Sequence, residues 1–321
     1  MAEIMRAVLV GCGPIGCRVA AMAAGRPDIE LLGAVDVDPD KLGRDVGELG
    51  NFENLGVVVT DDAADLMSKT RPDVAFHATG SSFSVVCPQI VGLVEAGVNV
   101  VSTCEELSYP YRREPDLSRE LDRLAKKKGV TVLGTGINPG FLMDTWPLCM
   151  TAVCQEVKSI KAVRVQDASF RRLPFQQKIG AGCKPEEFRQ RVADGTLRHV
   201  GLEESIAMIA AGLGFELDEI SETIEPVIAD GQVAGVRQVG RGVRGGREVI
   251  TLEFVASLGA PESYDAVKIE GTPDLEVKIP GGVHGDLGTA AVVVNAARRV
   301  VEAPPGLFCM KDMPVITGRA I

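Results

Sequence analysis

The sequence predicts an α/β fold: an N-terminal doubly wound parallel sheet, then a second α+β unit with a mainly antiparallel sheet. Three observations carry this. Short apolar runs alternate with helical patterns through the first part of the chain. The first run, Arg6-Ala-Val-Leu-Val10, leads straight into Gly11-Cys12-Gly13-Pro14-Ile15-Gly16 and a helical pattern at Val19, Ala20 and Ala23. Beyond Asp144 the alternation stops, and strand-like segments follow one another across turns such as Asp230-Gly231 and Gly245-Gly246.

Strand, Gly-x-Gly-x-x-Gly and helix in this order predict a Rossmann-type dinucleotide site. Gly11 allows the tight turn, Gly13 lets backbone approach a pyrophosphate, and Gly16 permits close packing of helix on sheet. The helix N-terminus then presents unpaired N–H groups to the phosphates. A second strand, Leu31-Leu-Gly-Ala-Val-Asp36, ends in an acid twenty residues past Gly16. A carboxylate there accepts from the adenosine ribose hydroxyls and repels a 2′-phosphate, which favours NAD; Lys41 and Arg44 keep NADP open, either reaching a phosphate or lying as solvated helix charges.

The rest of the first unit follows in order. Residues 37–44, with Pro39 early and acids beside it, read as the start of a helix. Strands are expected at 57–60, 72–77, 98–101 and 130–133, with helices at 61–69, 83–96 and 117–128 between them, making six parallel strands. Strand candidates in the second unit are 157–165, 220–228, 233–239, 249–257, 264–269 and 275–279, with helices at 185–193 and 202–211. Alternation is clearest at Ile250, Leu252, Phe254 and Ala256. A long apolar helix at 290–301 then brings the chain back to the first unit, buried between the two. The expected division is 1–143 with 285–321 for the dinucleotide-binding part and 144–284 for a substrate-binding and oligomerisation part.

Composition narrows the function classes. The chain has 321 residues, 45% hydrophobic and 24% charged, with a net charge of −10. That balance disfavours a nucleic-acid or anionic-membrane surface. No apolar run is long enough for a membrane span, and the first residues carry no signal-peptide pattern, so a cytoplasmic protein is expected. Eight cysteines without a Cys-x-x-Cys spacing read as reduced core thiols, and three scattered histidines argue against a metal site.

Ligands of a doubly wound sheet bind outside the strand carboxyl ends. One such end offers Ala78-Thr79-Gly80-Ser81. A second offers Thr103, Cys104 and the adjacent pair Glu105 and Glu106, which either handle a substrate amine where nicotinamide exposes its reactive carbon or cap the next turn. A third, Asn138-Pro139-Gly140-Phe141, suits a carboxamide held against backbone, or is an elbow between units. Asp144 reads equally as a helix cap. In the second unit Arg171, Arg172, Gln176 and Lys178 lie on a glycine-containing loop that either receives a substrate carboxylate or is merely solvated. His199 either lines the same pocket or is structural, and His77 reads as packing.

With these residues in view, the chain resembles the dihydrodipicolinate-reductase-like oxidoreductases, and more closely their 2,4-diaminopentanoate dehydrogenase and amine dehydrogenase branch. The matching stretches are 11–16, 102–110 (Ser-Thr-Cys-Glu-Glu-Leu-Ser-Tyr-Pro), 134–144 (Gly-Thr-Gly-Ile-Asn-Pro-Gly-Phe-Leu-Met-Asp), 199–205 and 285–307. The resemblance implies reversible NAD(P)-dependent oxidative deamination of a small amine to a ketone and ammonia, with a glutamate after the fifth strand handling the amine. The glycine motif, the acid after the second strand and the strand carboxyl ends together make Gly11, Cys12, Gly13, Pro14, Ile15, Gly16, Asp36, Thr79, Gly80, Ser81, Thr103, Asn138 and Pro139 the expected cofactor contacts. The expected substrate contacts are Phe141, Arg171, Gln176, Lys178 and His199, and the sheet-rich second unit makes a homodimer the expected assembly. The His-His-rich substrate motif of true dihydrodipicolinate reductases is missing. An imine or heterocycle reductase of that type, and a non-catalytic NAD(H)-binding protein, are the competing readings.

Overall fold

The computed structural model describes residues 4–319 and divides into two compact units, Met1–Phe141 with His284–Ile321, and Leu142–Val283. In the first, β1 (Met5–Val10) runs into α1 (Pro14–Ala24), followed by β2 (Ile29–Val35), α2 (Val46–Leu49), β3 (Val59–Thr60) and α3 (Ala63–Thr70). Then come β4 (Val74–His77), α4 (Phe83–Glu95), β5 (Asn99–Ser102), α5 (Pro115–Lys128) and β6 (Thr131–Gly134). In the second unit α6 (Thr145–Thr151) precedes β7 (Glu156–Asp167), α7 (Leu173–Lys178), α8 (Pro185–Ala193) and α9 (Leu202–Leu213). A run of strands closes it: β8 (Glu219–Ala229), β9 (Gln232–Arg244), β10 (Arg247–Ser257), β11 (Tyr264–Thr272) and β12 (Leu275–Pro280). The chain returns to the first unit with α10 (Gly285–Glu302) and β13 (Gly306–Phe308).

The first sheet is parallel throughout, in the order β13-β6-β5-β4-β1-β2-β3. Strand order reverses at β1, so the crevice beside Gly11 is the topological switch point where such sheets bind ligands. Buried Val8, Ala75, Val100 and Val132 give each strand the apolar character of a sheet covered on both faces. Helix α10 packs on α1 and over β4, β5 and β6. Its buried Gly288, Ala290, Ala296 and Ala297, facing an α1 rich in small residues, allow close approach.

The second sheet, β12-β11-β7-β10-β9-β8, is antiparallel except where β7 lies parallel to β10. Helix α9 packs over β8, β9 and β10.

Several expectations are corrected. Residues 37–44 form turns: Asp36 accepts the Asp38 N–H at 3.0 Å and Asp38 the Asp40 N–H at 3.1 Å, and such side-chain bonds compete with helix. Residues 171–182 are not wholly loop, since Pro174 sits in the first turn of α7. Helix α10 starts at Gly285 rather than after Thr289, and a seventh strand, β13, pairs with β6. Strand β9 continues through Gly240 and Gly242, where a Cβ would crowd Ile206 at 2.8 and 3.0 Å.

Candidate functional site

The turn after β1 is shaped by close approach of backbone. Gly11 has φ +97°, and a Cβ there would lie 2.5 Å from the Ala78 carbonyl oxygen at the end of β4. A Cβ on Gly16 would lie 1.9 Å from the Gly11 oxygen, whereas at Gly13 it would meet nothing within 4 Å. The loop is therefore locked from behind and open in front, at the N-terminus of α1, where Pro14 starts the helix. Cys12 faces inward: its N–H donates to Asp36 Oδ2 at 2.7 Å and its buried thiol donates to the Val35 carbonyl.

Asp36 stands just past β2. Burial pushes its carboxyl up, but N–H donors from Asp38 and Cys12 and the Lys41 ammonium outweigh this and hold it below the usual range. Lys41 Nζ lies 3.0 Å from Asp36 and 3.4 Å from Asp38, while Arg44 pairs with Glu48. A cleft of about 1200 Å³ in this unit is lined by Gly11, Gly13, Asp36, Lys41, Thr79 and Gln89, among others.

At the end of β4, Thr79 and Gly80 are exposed and Ser81 is half-buried, its carbonyl accepting from the Glu106 N–H at 3.2 Å. The Thr103 N–H donates to the His77 carbonyl at 2.9 Å. A 3₁₀ turn, Glu105–Ser108, follows β5 and separates the two glutamates. Glu106 Oε2 accepts from the Phe83 N–H at 2.8 Å and the Ser82 hydroxyl at 3.0 Å, capping the start of α4. Glu105 is half-buried at the first position of the same turn.

After β6, a cis peptide joins Asn138 to Pro139. Both amide atoms of Asn138 are sealed from solvent with no hydrogen-bond partner in the protein. Such a group costs free energy unless a ligand completes it. An amide both donates and accepts, so Asn138 matches a carboxamide, and the open face of Gly13 matches a pyrophosphate. The residues present fit a nicotinamide dinucleotide. Phe141 is half-buried two residues beyond Pro139.

In the second unit the predicted substrate residues have unequal surroundings. The Arg171 guanidinium lies 4.3 Å over the Phe175 ring, and Lys178 is exposed at the end of α7. Gln176 donates to the carbonyls of Ala168, Ser169 and Arg171, bracing its own loop. His199 stacks on Phe254 with centroids 4.6 Å apart, and its Nε2 is sealed without a partner. Burial, then the cations Lys178, Arg164 and Arg198, push its imidazole down to about 3, so it is neutral near pH 7.

Sequence reasoning missed the side chains around His199. Gln238 accepts from the His199 N–H at 2.8 Å, donates to its carbonyl at 2.9 Å, and donates to Glu222 at 2.9 Å. Burial and then the Glu203 charge raise Glu222 to about 7. Arg164 pairs with Asp265 at 2.6 Å, both side chains 2% exposed. It also missed Gln89 and the bonds of His77, for which the pattern of apolar neighbours gave no signal.

All eight cysteines are free thiols. Among the described residues no group of ligating side chains suits a metal ion, and no helix is long and apolar enough to cross a membrane.

Residues 141–320 match the family model of the 2,4-diaminopentanoate dehydrogenase C-terminal domain, and residues 5–104 that of the dihydrodipicolinate reductase N-terminus. A 2,4-diaminopentanoate dehydrogenase from Acetoanaerobium sticklandii is 34% identical, covering 98% of this chain and 94% of its own. An amine dehydrogenase from Streptomyces virginiae is 27% identical over 96% of both chains. The solved amine dehydrogenase from Mycobacterium smegmatis superposes with a TM-score of 0.86 at 26% identity, covering 99% of this chain and 98% of that one. The chain belongs to the 2,4-diaminopentanoate dehydrogenase family of oxidoreductases.

Proposed function

We propose that this protein is an NAD-dependent amine dehydrogenase that oxidises a small primary amine, led by 2,4-diaminopentanoate, to the ketone with release of ammonia. The observation that carries the reading is the division of labour between two neighbouring carboxylates. Glu106 accepts from the Phe83 N–H at the start of α4, and Glu105 is the first residue of the same turn after β5; we take Glu105, by its place at that strand end, as the group that meets the substrate amine.

In this reading Gly11, Gly13 and Gly16 shape the pyrophosphate cradle with Pro14 and Ile15 at the head of α1, and Asp36 receives the adenosine ribose. Cys12 acts by orienting Asp36. Thr79, Gly80, Ser81 and Thr103 line the approach, and Asn138 with Pro139 receives the carboxamide. The bound nicotinamide supplies a hydride acceptor. Glu105 removes a proton from the substrate ammonium, so that the nitrogen lone pair is free to assist departure of hydride from its carbon. Glu105 passes that proton to solvent, and the regenerated carboxylate then takes a proton from water attacking the iminium carbon and returns it to the nitrogen as ammonia leaves. Asp36 favours NAD by repelling a 2′-phosphate, although Lys41 offsets part of that charge. We further assign Phe141, Arg171, Lys178 and His199 to substrate contact, and a homodimer as the assembly.

The test is a panel of amines assayed with NAD and NADP in parallel, following reduced nicotinamide and ammonia together. Glu105→Gln should lower kcat by about 10²-fold to 10⁴-fold, while Glu106→Gln keeps kcat within about tenfold. Near-normal turnover by Glu105→Gln, or a panel without an active amine, would overturn the reading. Reduction of a ketone that proceeds without ammonium would point to an imine reductase instead.

A further inference from the structure

We propose that His77 is a positioning residue, linking the cofactor-cleft wall to the turn that carries Glu105 through a one-way chain of hydrogen bonds. The inference rests on the assignment of Glu105 above.

His77 ends β4 in the middle of the parallel sheet, paired with Val10 on one side and Ser102 on the other, and is 0% exposed. A buried imidazole is costly unless both ring nitrogens are bonded. Here both are. Nδ1 lies 2.9 Å from Ser102 Oγ, and Nε2 lies 2.9 Å from both Gln89 Oε1 and Thr79 Oγ1. Thr79 and Gln89 line the cleft, and the Thr79 hydroxyl donates to Gln89 Oε1 at 2.7 Å. Ser102 Oγ accepts the Cys104 N–H at 3.1 Å, one residue before Glu105.

The orientation of the Gln89 amide sets the direction: with Oε1 toward the ring, Nε2 carries the proton. Nδ1 is then bare and accepts from the Ser102 hydroxyl, whose lone pair receives the Cys104 N–H. The chain runs unbroken from the Glu105 turn to the cleft wall and requires a neutral ring. Burial pushes the imidazole down, which favours that form.

Each half of the chain can be cut separately. In His77→Asn the side-chain oxygen reproduces the acceptor at the Nδ1 position and loses the Nε2 end; His77→Gln keeps the far end and loses the bond to Ser102. His77→Gln should lower kcat about tenfold or more with the Kd for NADH, read by fluorescence titration, within about threefold of wild type. His77→Asn should recover most of the kcat lost in His77→Leu and instead weaken NADH about tenfold. Long-range proton–nitrogen NMR of the wild type should show Nε2 protonated and Nδ1 bare from about pH 6 to about pH 8. Asn and Gln variants that fall together in kcat, Kd and melting temperature would reduce His77 to a structural role, as would the opposite tautomer. A wild type with no amine turnover defeats the assignment of Glu105 alone, because the Kd split and the tautomer are read without turnover.

Discussion

The crevice edge of the parallel sheet and the polar cluster associated with α9 both hold buried polar groups, by opposite means. In the first unit the framework is largely backbone: Gly11 turns at positive φ against the Ala78 carbonyl, and α4 offers its first N–H to Glu106. In the second unit the framework is side chains from separate strands, as in Arg164 with Asp265 and Gln238 with Glu222. A backbone device demands particular residues at fixed spacing, so it is visible along the chain. A side-chain device demands only complementary groups that folding brings together.

Removing one partner of a buried pair disrupts the second unit most severely. Arg164→Ala strands the Asp265 carboxylate, which also receives the Val283 N–H at 2.7 Å, in a site buried from solvent. We expect a loss of about 3–5 kcal/mol in unfolding free energy, measured by denaturant titration. Arg164→Met with Asp265→Leu should recover much of it, because paired removal leaves no uncompensated charge. If the single and double variants are equally destabilised, packing rather than charge governs the site.

Gly11→Ala is the matching disruption in the first unit. The residue would sit at φ +97° with its Cβ 2.5 Å from a carbonyl oxygen, so the turn must move. Backbone strain of this kind costs about 1–3 kcal/mol, smaller than the loss at Arg164. The movement opens the pyrophosphate cradle, so NADH affinity should fall by about tenfold or more in a fluorescence titration. Unchanged affinity would show that the turn does not set the cradle.

This contrast explains what was legible. The turn at 11–16 could be read because steric constraint leaves glycine as its residue type. The second sheet could be read because Ile250, Leu252, Phe254 and Ala256, which alternate along the sequence, face the core. The partner of Glu106 could not be read, since Phe83, twenty-three residues earlier, brings its N–H to that carboxylate only in the fold. Residues 37–44 misled because Asp36 and Asp38, good first-turn residues, bond their own local backbone instead. Arg164 and Asp265 are 101 residues apart, and no local pattern marks either.

The smallest effect tests whether side-chain construction tunes titration. Gln238 bonds Glu222 and the His199 backbone, and these two residues titrate in opposite directions. Burial, then Glu203, raises Glu222 from its ordinary 4.5 to about 7, against the lowering effect of Arg198. The folded chain keeps a proton that the unfolded chain has released, so stability falls as pH rises from about 4.5 to about 7. Burial, then Lys178, Arg164 and Arg198, lowers His199 from 6.5 to about 3. There the unfolded chain binds the proton first, so stability falls as pH drops below about 6.5. The two slopes oppose each other between about pH 4.5 and about pH 6.5. Glu222→Gln keeps an acceptor for Gln238 and removes one slope. The variant should melt above wild type at pH 8, converge with it below about pH 4.5, and gain stability relative to it with pH between. Melting curves that stay parallel to wild type across this range would show that Glu222 holds no proton in the fold.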